Sequence, residues 1–113
     1  MFTKYDEYEL LELFENEPVV ISEKEAGRFI YSKSDSSGIS IMLAVSIYDK
    51  ECEICLSMGE RLIFETNLKK VDYLQSKDKC LRIHQNESIQ DYLIYFGLNI
   101  FVKTEATHMS QEG

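Results

Sequence analysis

The chain has 113 residues, 44% hydrophobic and 28% charged, a globular composition, and a chain of this size buries roughly 65% of its unfolded surface, enough for one core. Twenty acidic against twelve basic residues give a net charge of −8, which argues against direct nucleic-acid binding, since that affinity comes from lysine and arginine replacing counterions. No apolar run reaches the eighteen or so residues of a membrane span and no basic, apolar leader opens the chain, so a soluble, cytoplasmic protein without membrane contact is expected.

Residues 5–17 carry six carboxylates and no base, and the remainder, with fourteen acids against twelve bases, is nearly neutral. The acidity is local. Spacing predicts a helix over 5–16: at 100° per residue Leu10, Leu11, Leu13 and Phe14 share one arc, while Tyr5, Tyr8, Glu9, Glu12, Glu15 and Asn16 occupy the opposite one. Thr3 is the expected N-cap, with Asp6 and Glu7 near the positive end of the dipole, and Pro18 stops the helix. Glu15 and Glu17 stand near the negative end, where a carboxylate is unfavourable.

After Pro18 the period changes from helical to alternating. Val19–Ile21 is a short apolar run, and 28–33 alternates around Phe29, Ile30 and Tyr31. Ser34-Asp35-Ser36-Ser37-Gly38 reads as a turn. The clearest strand covers 39–48, with Ile39, Ile41, Leu43, Val45 and Ile47 on one side. Asp49-Lys50 turns the chain into 51–58, where Cys52, Ile54, Leu56 and Met58 alternate with Glu51, Glu53, Cys55 and Ser57. Gly59-Glu60 leads to 61–66. Residues 67–76 show a period of three through Leu68, Val71 and Leu74, yet Val71 and Tyr73 suit a strand, and a short strand is the preferred reading. Strands over 79–84, 91–96 and 100–104 complete the pattern. The turns are too short for parallel crossovers. The expected fold is α+β, an N-terminal helix followed by a curved antiparallel sheet of about seven strands, as a half-barrel or small sandwich, in one domain over 1–105 with a polar tail at 106–113 that frays.

Candidate chemistry is sparse. Cys52-Glu-Ile-Cys55 has metal-ligand spacing and, with Cys80 and His84, suggests a zinc set. On a strand, however, residues three apart face opposite sides, so Cys52 is expected inside as a small hydrophobe and Cys55 outside. His84 at an outward position and His108 in the tail both read as exposed histidines without an orienting carboxylate. The serines of 32–40 lack a nucleophile elbow, and the five glycines are scattered singly, so no phosphate loop exists. No catalytic residue, metal or cofactor is assigned, and the chain reads as a non-enzyme.

The opening segment is the remaining feature. Its six charges share one sign with no lysine between them, and Tyr5 and Tyr8 stand among them, a pairing typical of contact surfaces. Tyr5, Tyr8, Glu9, Glu12 and Glu15 are therefore the expected partner-binding residues, and a basic protein is the expected partner. Alternatives are a sheet enclosing an apolar ligand between Phe29, Tyr31, Leu43, Phe64 and Tyr92, or a homodimer built by edge-strand pairing.

Laid out as this helix, then Glu17-Pro18-Val19-Val20-Ile21, alternating strands with glycine-containing turns, and the closing segment Ile94-Tyr95-Phe96-Gly97-Leu98-Asn99-Ile100-Phe101-Val102, the chain resembles small bacterial immunity proteins. These are encoded beside contact-dependent growth-inhibition and other polymorphic toxins. The resemblance covers residues 1 to about 104 and lies in size, acidity and layout. It implies a cytoplasmic inhibitor that binds a toxin's C-terminal domain, often a basic nuclease, and blocks its substrate site or a nearby surface. The site residues above come from the helix alone.

Overall fold

The computed structural model describes residues 2–23 and 26–107. The expected fraying tail falls largely outside them. Among the described residues the chain forms one helix, α1 (Glu7–Phe14), and nine strands: β1 (Val19–Val20), β2 (Arg28–Ser34), β3 (Ile39–Ser46), β4 (Glu51–Met58), β5 (Arg61–Leu68), β6 (Val71–Lys77), β7 (Cys80–Gln85), β8 (Gln90–Phe96) and β9 (Ile100–Ala106). They build two antiparallel meanders, a five-stranded sheet β1-β2-β3-β4-β5 and a four-stranded sheet β6-β7-β8-β9. The arrangement is the sandwich alternative and not a half-barrel, because the chain changes sheets at Lys69–Lys70, with Leu68 and Val71 buried on either side of the crossing. Lys70 takes the positive φ of 57° that this corner requires.

That crossing also explains the period of three in 68–74. Val71 and Leu74 both face the core, although an uninterrupted strand would send them to opposite sides, because a bulge between Val71 and Tyr73 inserts a residue into the β6–β7 ladder. Elsewhere the alternation is followed closely. Ile41, Leu43 and Val45 of β3 and Cys52 and Ile54 of β4 are almost fully buried, and they meet Leu81, Ile83, Ile94 and Ile100 of the other sheet in one core.

The helix starts later than its apolar pattern suggests. Asp6, not Thr3, is the N-cap, its carboxylate accepting from the Tyr8 N–H at 2.8 Å. Thr3 is instead buried in extended chain beside β6: the Lys4 N–H donates to Asp72 at 2.9 Å, the Leu74 N–H to Lys4 at 2.9 Å, and Thr3 Oγ1 to the Val71 carbonyl at 2.8 Å. These bonds hold residues 3 and 4 extended, so helical geometry begins only beyond them.

At the other end, Glu15 adopts a left-handed conformation and its N–H closes on the Leu11 carbonyl. The base that local sequence denies this terminus arrives from β2. Lys33 Nζ donates to the Leu13 carbonyl at 3.3 Å and pairs with Glu15 at 3.3 Å, placing a cation at the negative end of the dipole. Asn16 adds bonds to the Phe14 and Ser32 carbonyls, both at 3.2 Å.

Leu10, Leu13 and Phe14 bury the inner face of α1 against β2 and β6, one strand from each sheet. The Phe14 ring is fully buried, 5.3 Å from Tyr31 of β2 and 4.8 Å, edge-on, from Phe96 of β8. Replacing Phe14 with alanine removes the ring that joins three elements and should lower unfolding free energy by about 3–5 kcal/mol, measured by urea denaturation.

Candidate functional site

The five residues expected to bind a partner occupy different environments. Tyr5 precedes the helix and is half-buried against the core, so it is not on the polar arc. Burial pushes its phenol pKa up. Glu9 is half-buried and accepts from the Ser76 N–H at 3.1 Å, tying α1 to β6. Glu15 is paired with Lys33 while its side chain stays largely exposed. Tyr8, 76% exposed, and Glu12 stand fully outward, with Glu7 and Glu17 exposed beside them. The helix thus presents a tyrosine and several carboxylates, while two of the nominated side chains are structural ties.

Tertiary folding also answers part of the charge. A cleft of about 490 Å³ lies between α1 and the β6–β7 turn, with Glu9, Glu12 and Glu15 on one wall and Lys33, Lys77 and Lys79 on the others. The acidic arc faces lysines that are distant in sequence, so its outward potential is weaker than six isolated carboxylates would produce.

A second surface escaped sequence reasoning. On the outer face of the four-stranded sheet, Asp91 is 1% exposed, covered by neighbouring side chains. Arg82 Nη1 donates to Asp91 Oδ2 at 2.6 Å and Nη2 to Glu105 Oε1 at 2.7 Å. His84 Nδ1 meets Asp91 Oδ1 at 2.8 Å, Thr107 Oγ1 donates to the same oxygen at 2.8 Å, and the His84 ring stacks on Tyr73 at 5.0 Å. His84 does point outward, as its strand position predicts, but it is neither exposed nor without an orienting carboxylate. Its partners, Tyr73 and Asp91, come from β6 and β8. His108 lies outside the described residues.

Burial pushes the Asp91 carboxyl pKa up, but the hydrogen bonds from His84, Arg82 and Thr107 outweigh it and hold the pKa below the ordinary range. The network leaves Asp91 fully partnered. Its chemistry is that of a preorganised ionic staple, holding Arg82 flat between two carboxylates and fixing the strands on which Tyr95, Phe101 and Lys103 stand. Tyr95 and Phe101 stack at 4.6 Å with Lys103 over the tyrosine ring.

The cysteines divide as strand geometry requires. Cys52 is buried in the core and Cys55 is on the opposite face, so the pair cannot share a metal. Cys55 instead lies between Glu53 and Glu65, with one ligand atom from each of the three within 4.8 Å of the others. Burial, then the two adjacent carboxylates, push its thiol pKa up to about 11. Of the expected lining of an apolar ligand site, Tyr31 and Leu43 are in the packed core, and Phe29, Phe64 and Tyr92 pack against it partly buried.

By sequence, no protein-family model matches the chain and no curated protein matches it significantly. By structure, it is similar to a chain of the contact-dependent growth inhibition toxin–immunity protein complex from Klebsiella pneumoniae 342. The match has a TM-score of 0.76 at 20% identity and covers 95% of this chain and all of the other. The resemblance read from layout is thereby borne out as a shared fold.

The Asp91 network predicts an acid-sensitive stability. Its folded pKa is depressed below the unfolded value of about 3.9, so the stabilisation is complete above that pH and is lost as pH falls through the folded value. Asp91→Asn should cost about 3 kcal/mol at neutral pH and flatten the acid limb, measured by urea denaturation from neutral pH downwards.

Proposed function

We propose that the chain is an immunity protein that neutralises a bacterial toxin domain by non-covalent protein–protein contact, without catalysis of its own. The observation that carries this reading is the fold shared over 95% of the chain with a member of a toxin–immunity complex. Charge supports a basic toxin domain such as a nuclease. The chain carries −8 overall, Glu7 and Glu17 are exposed beside Tyr8, and Glu12 is exposed on the same helix. A nuclease must present a positive cleft to phosphates, and exposed carboxylates can fill it, accelerating encounter by long-range attraction, while a desolvated aromatic contact slows release.

In this reading Tyr8 and Glu12 touch the toxin, whereas Glu9 and Glu15 hold the helix in place through Ser76 and Lys33 and Tyr5 packs against the core. Among the described residues no helix is long and apolar enough to cross a membrane, and the cytoplasm, where such a toxin acts, is the proposed site of action.

The test is binding to the C-terminal toxin domain encoded beside this chain, by surface plasmon resonance at two salt concentrations. Glu12→Lys should slow association by about tenfold at low salt with a smaller effect at high salt, and Tyr8→Ala should act mainly on dissociation. Failure of the wild-type protein to bind that domain rejects the function; binding unaffected by either substitution removes the helix from it.

A further inference from the structure

The molecule carries a group of exposed apolar side chains across the β6–β7 turn from the acidic helix. Leu98, at the tip of the β8–β9 turn, is 92% exposed, and Phe101 is 48% exposed against the Tyr95 ring. A hollow of about 480 Å³ opens among Tyr95, Leu98, Phe101 and the β6–β7 turn. That turn is formed by Asp78 and Lys79, both at positive φ, and the same two residues line the cleft in front of α1. Carboxylates and apolar anchors therefore flank a single ridge.

The tip is held in place. Asp35, in the β2–β3 turn, accepts from the Ile100 N–H at 2.8 Å as well as from the Ile39 and Ser37 N–H groups of its own turn. This ties the β8–β9 hairpin of one sheet to the other sheet, so Leu98 is presented from an anchored turn. An anchored aromatic pair at the surface matches the aromatic enrichment of protein interfaces.

We infer that the basic toxin domain straddles the Asp78–Lys79 ridge, setting cationic side chains against α1 and an apolar side chain into the Tyr95–Leu98–Phe101 hollow, so that the hydrophobic anchor is on the β8–β9 hairpin. The inference rests on the immunity reading. The cleft lining is mixed, with Lys33, Lys77 and Lys79 facing Glu9, Glu12 and Glu15, so it is the net charge of −8 that favours a basic occupant over a second copy of the chain. A two-fold dimer through the patch would place the same surface of both subunits together, bringing two acidic helices and two charges of −8 into proximity.

The experiment measures binding of the adjacently encoded toxin domain to wild type, Leu98→Asp, Phe101→Ala and Ile89→Asp by calorimetry, with circular dichroism melts as the folding control. Ile89 is 81% exposed at the turn between β7 and β8, the opposite end of the sheet, and serves as the matched exposed aliphatic. Leu98→Asp and Phe101→Ala should each weaken binding by about tenfold or more, Ile89→Asp by less than about twofold, with Leu98→Asp melting like wild type. Wild type that binds while Leu98→Asp and Phe101→Ala bind equally well overturns the inference and leaves the function standing. An equal loss in Ile89→Asp overturns it too, as does self-association in sedimentation velocity that Leu98→Asp abolishes with toxin binding intact. Wild type that does not bind the toxin domain overturns the function, and the inference with it.

Discussion

The Phe14 ring, packed between Tyr31 of one sheet and Phe96 of the other, connects the helix with both layers. Two meanders joined by a two-residue crossing have little covalent reason to hold a common orientation; apolar burial across the gap supplies it, and α1 closes one end of that gap. The position of every charged side chain on the outer arc of α1 follows from this. With Phe14, Leu13 and Leu10 directed inwards, Tyr8 and Glu12 have no direction available but solvent, and Lys33 is brought to the helix terminus that needs a cation.

Polar interactions then decide details that burial leaves open. The backbone bonds of Thr3 and Lys4 to residues 47, 72 and 74 hold the amino-terminal segment extended and delay the helix until Asp6. Asp35 ties the β2–β3 turn to the start of β9, and Asp91 gathers groups from β7 and the end of β9. Two of these anchors are carboxylates with depressed pKa values. The hydrogen bonds that depress them also set their cost, because a buried or tightly bonded carboxylate that loses its donors is worse than none.

For function, the consequence is a surface divided by chemistry. One side of the β6–β7 turn presents carboxylates, partly answered by lysines across the cleft; the other presents stacked aromatics and an exposed leucine. A partner reading both must match charge and shape at once, which is how specificity arises when each contribution alone is modest.

Much of this architecture was already written in local patterns. Alternation over 39–47 and 51–56 assigned inward and outward faces correctly because a strand's side chains have a period of two and one face is buried. The same rule separated Cys52 from Cys55, and the apolar arc of α1 identified its core face. What local pattern could not express was which distant segments would meet. The division into two sheets depends on a crossing at Lys69–Lys70 and a bulge in β6, which sequence periodicity registers only as an ambiguous spacing of three. The bond that the Ser76 N–H donates to Glu9 and the pairing of Glu15 with Lys33 join residues far apart in the chain, and such partners are selected by packing of the whole core. Charge and hydrophobicity are properties of a residue and its near neighbours; accessibility and partnership are properties of the folded chain.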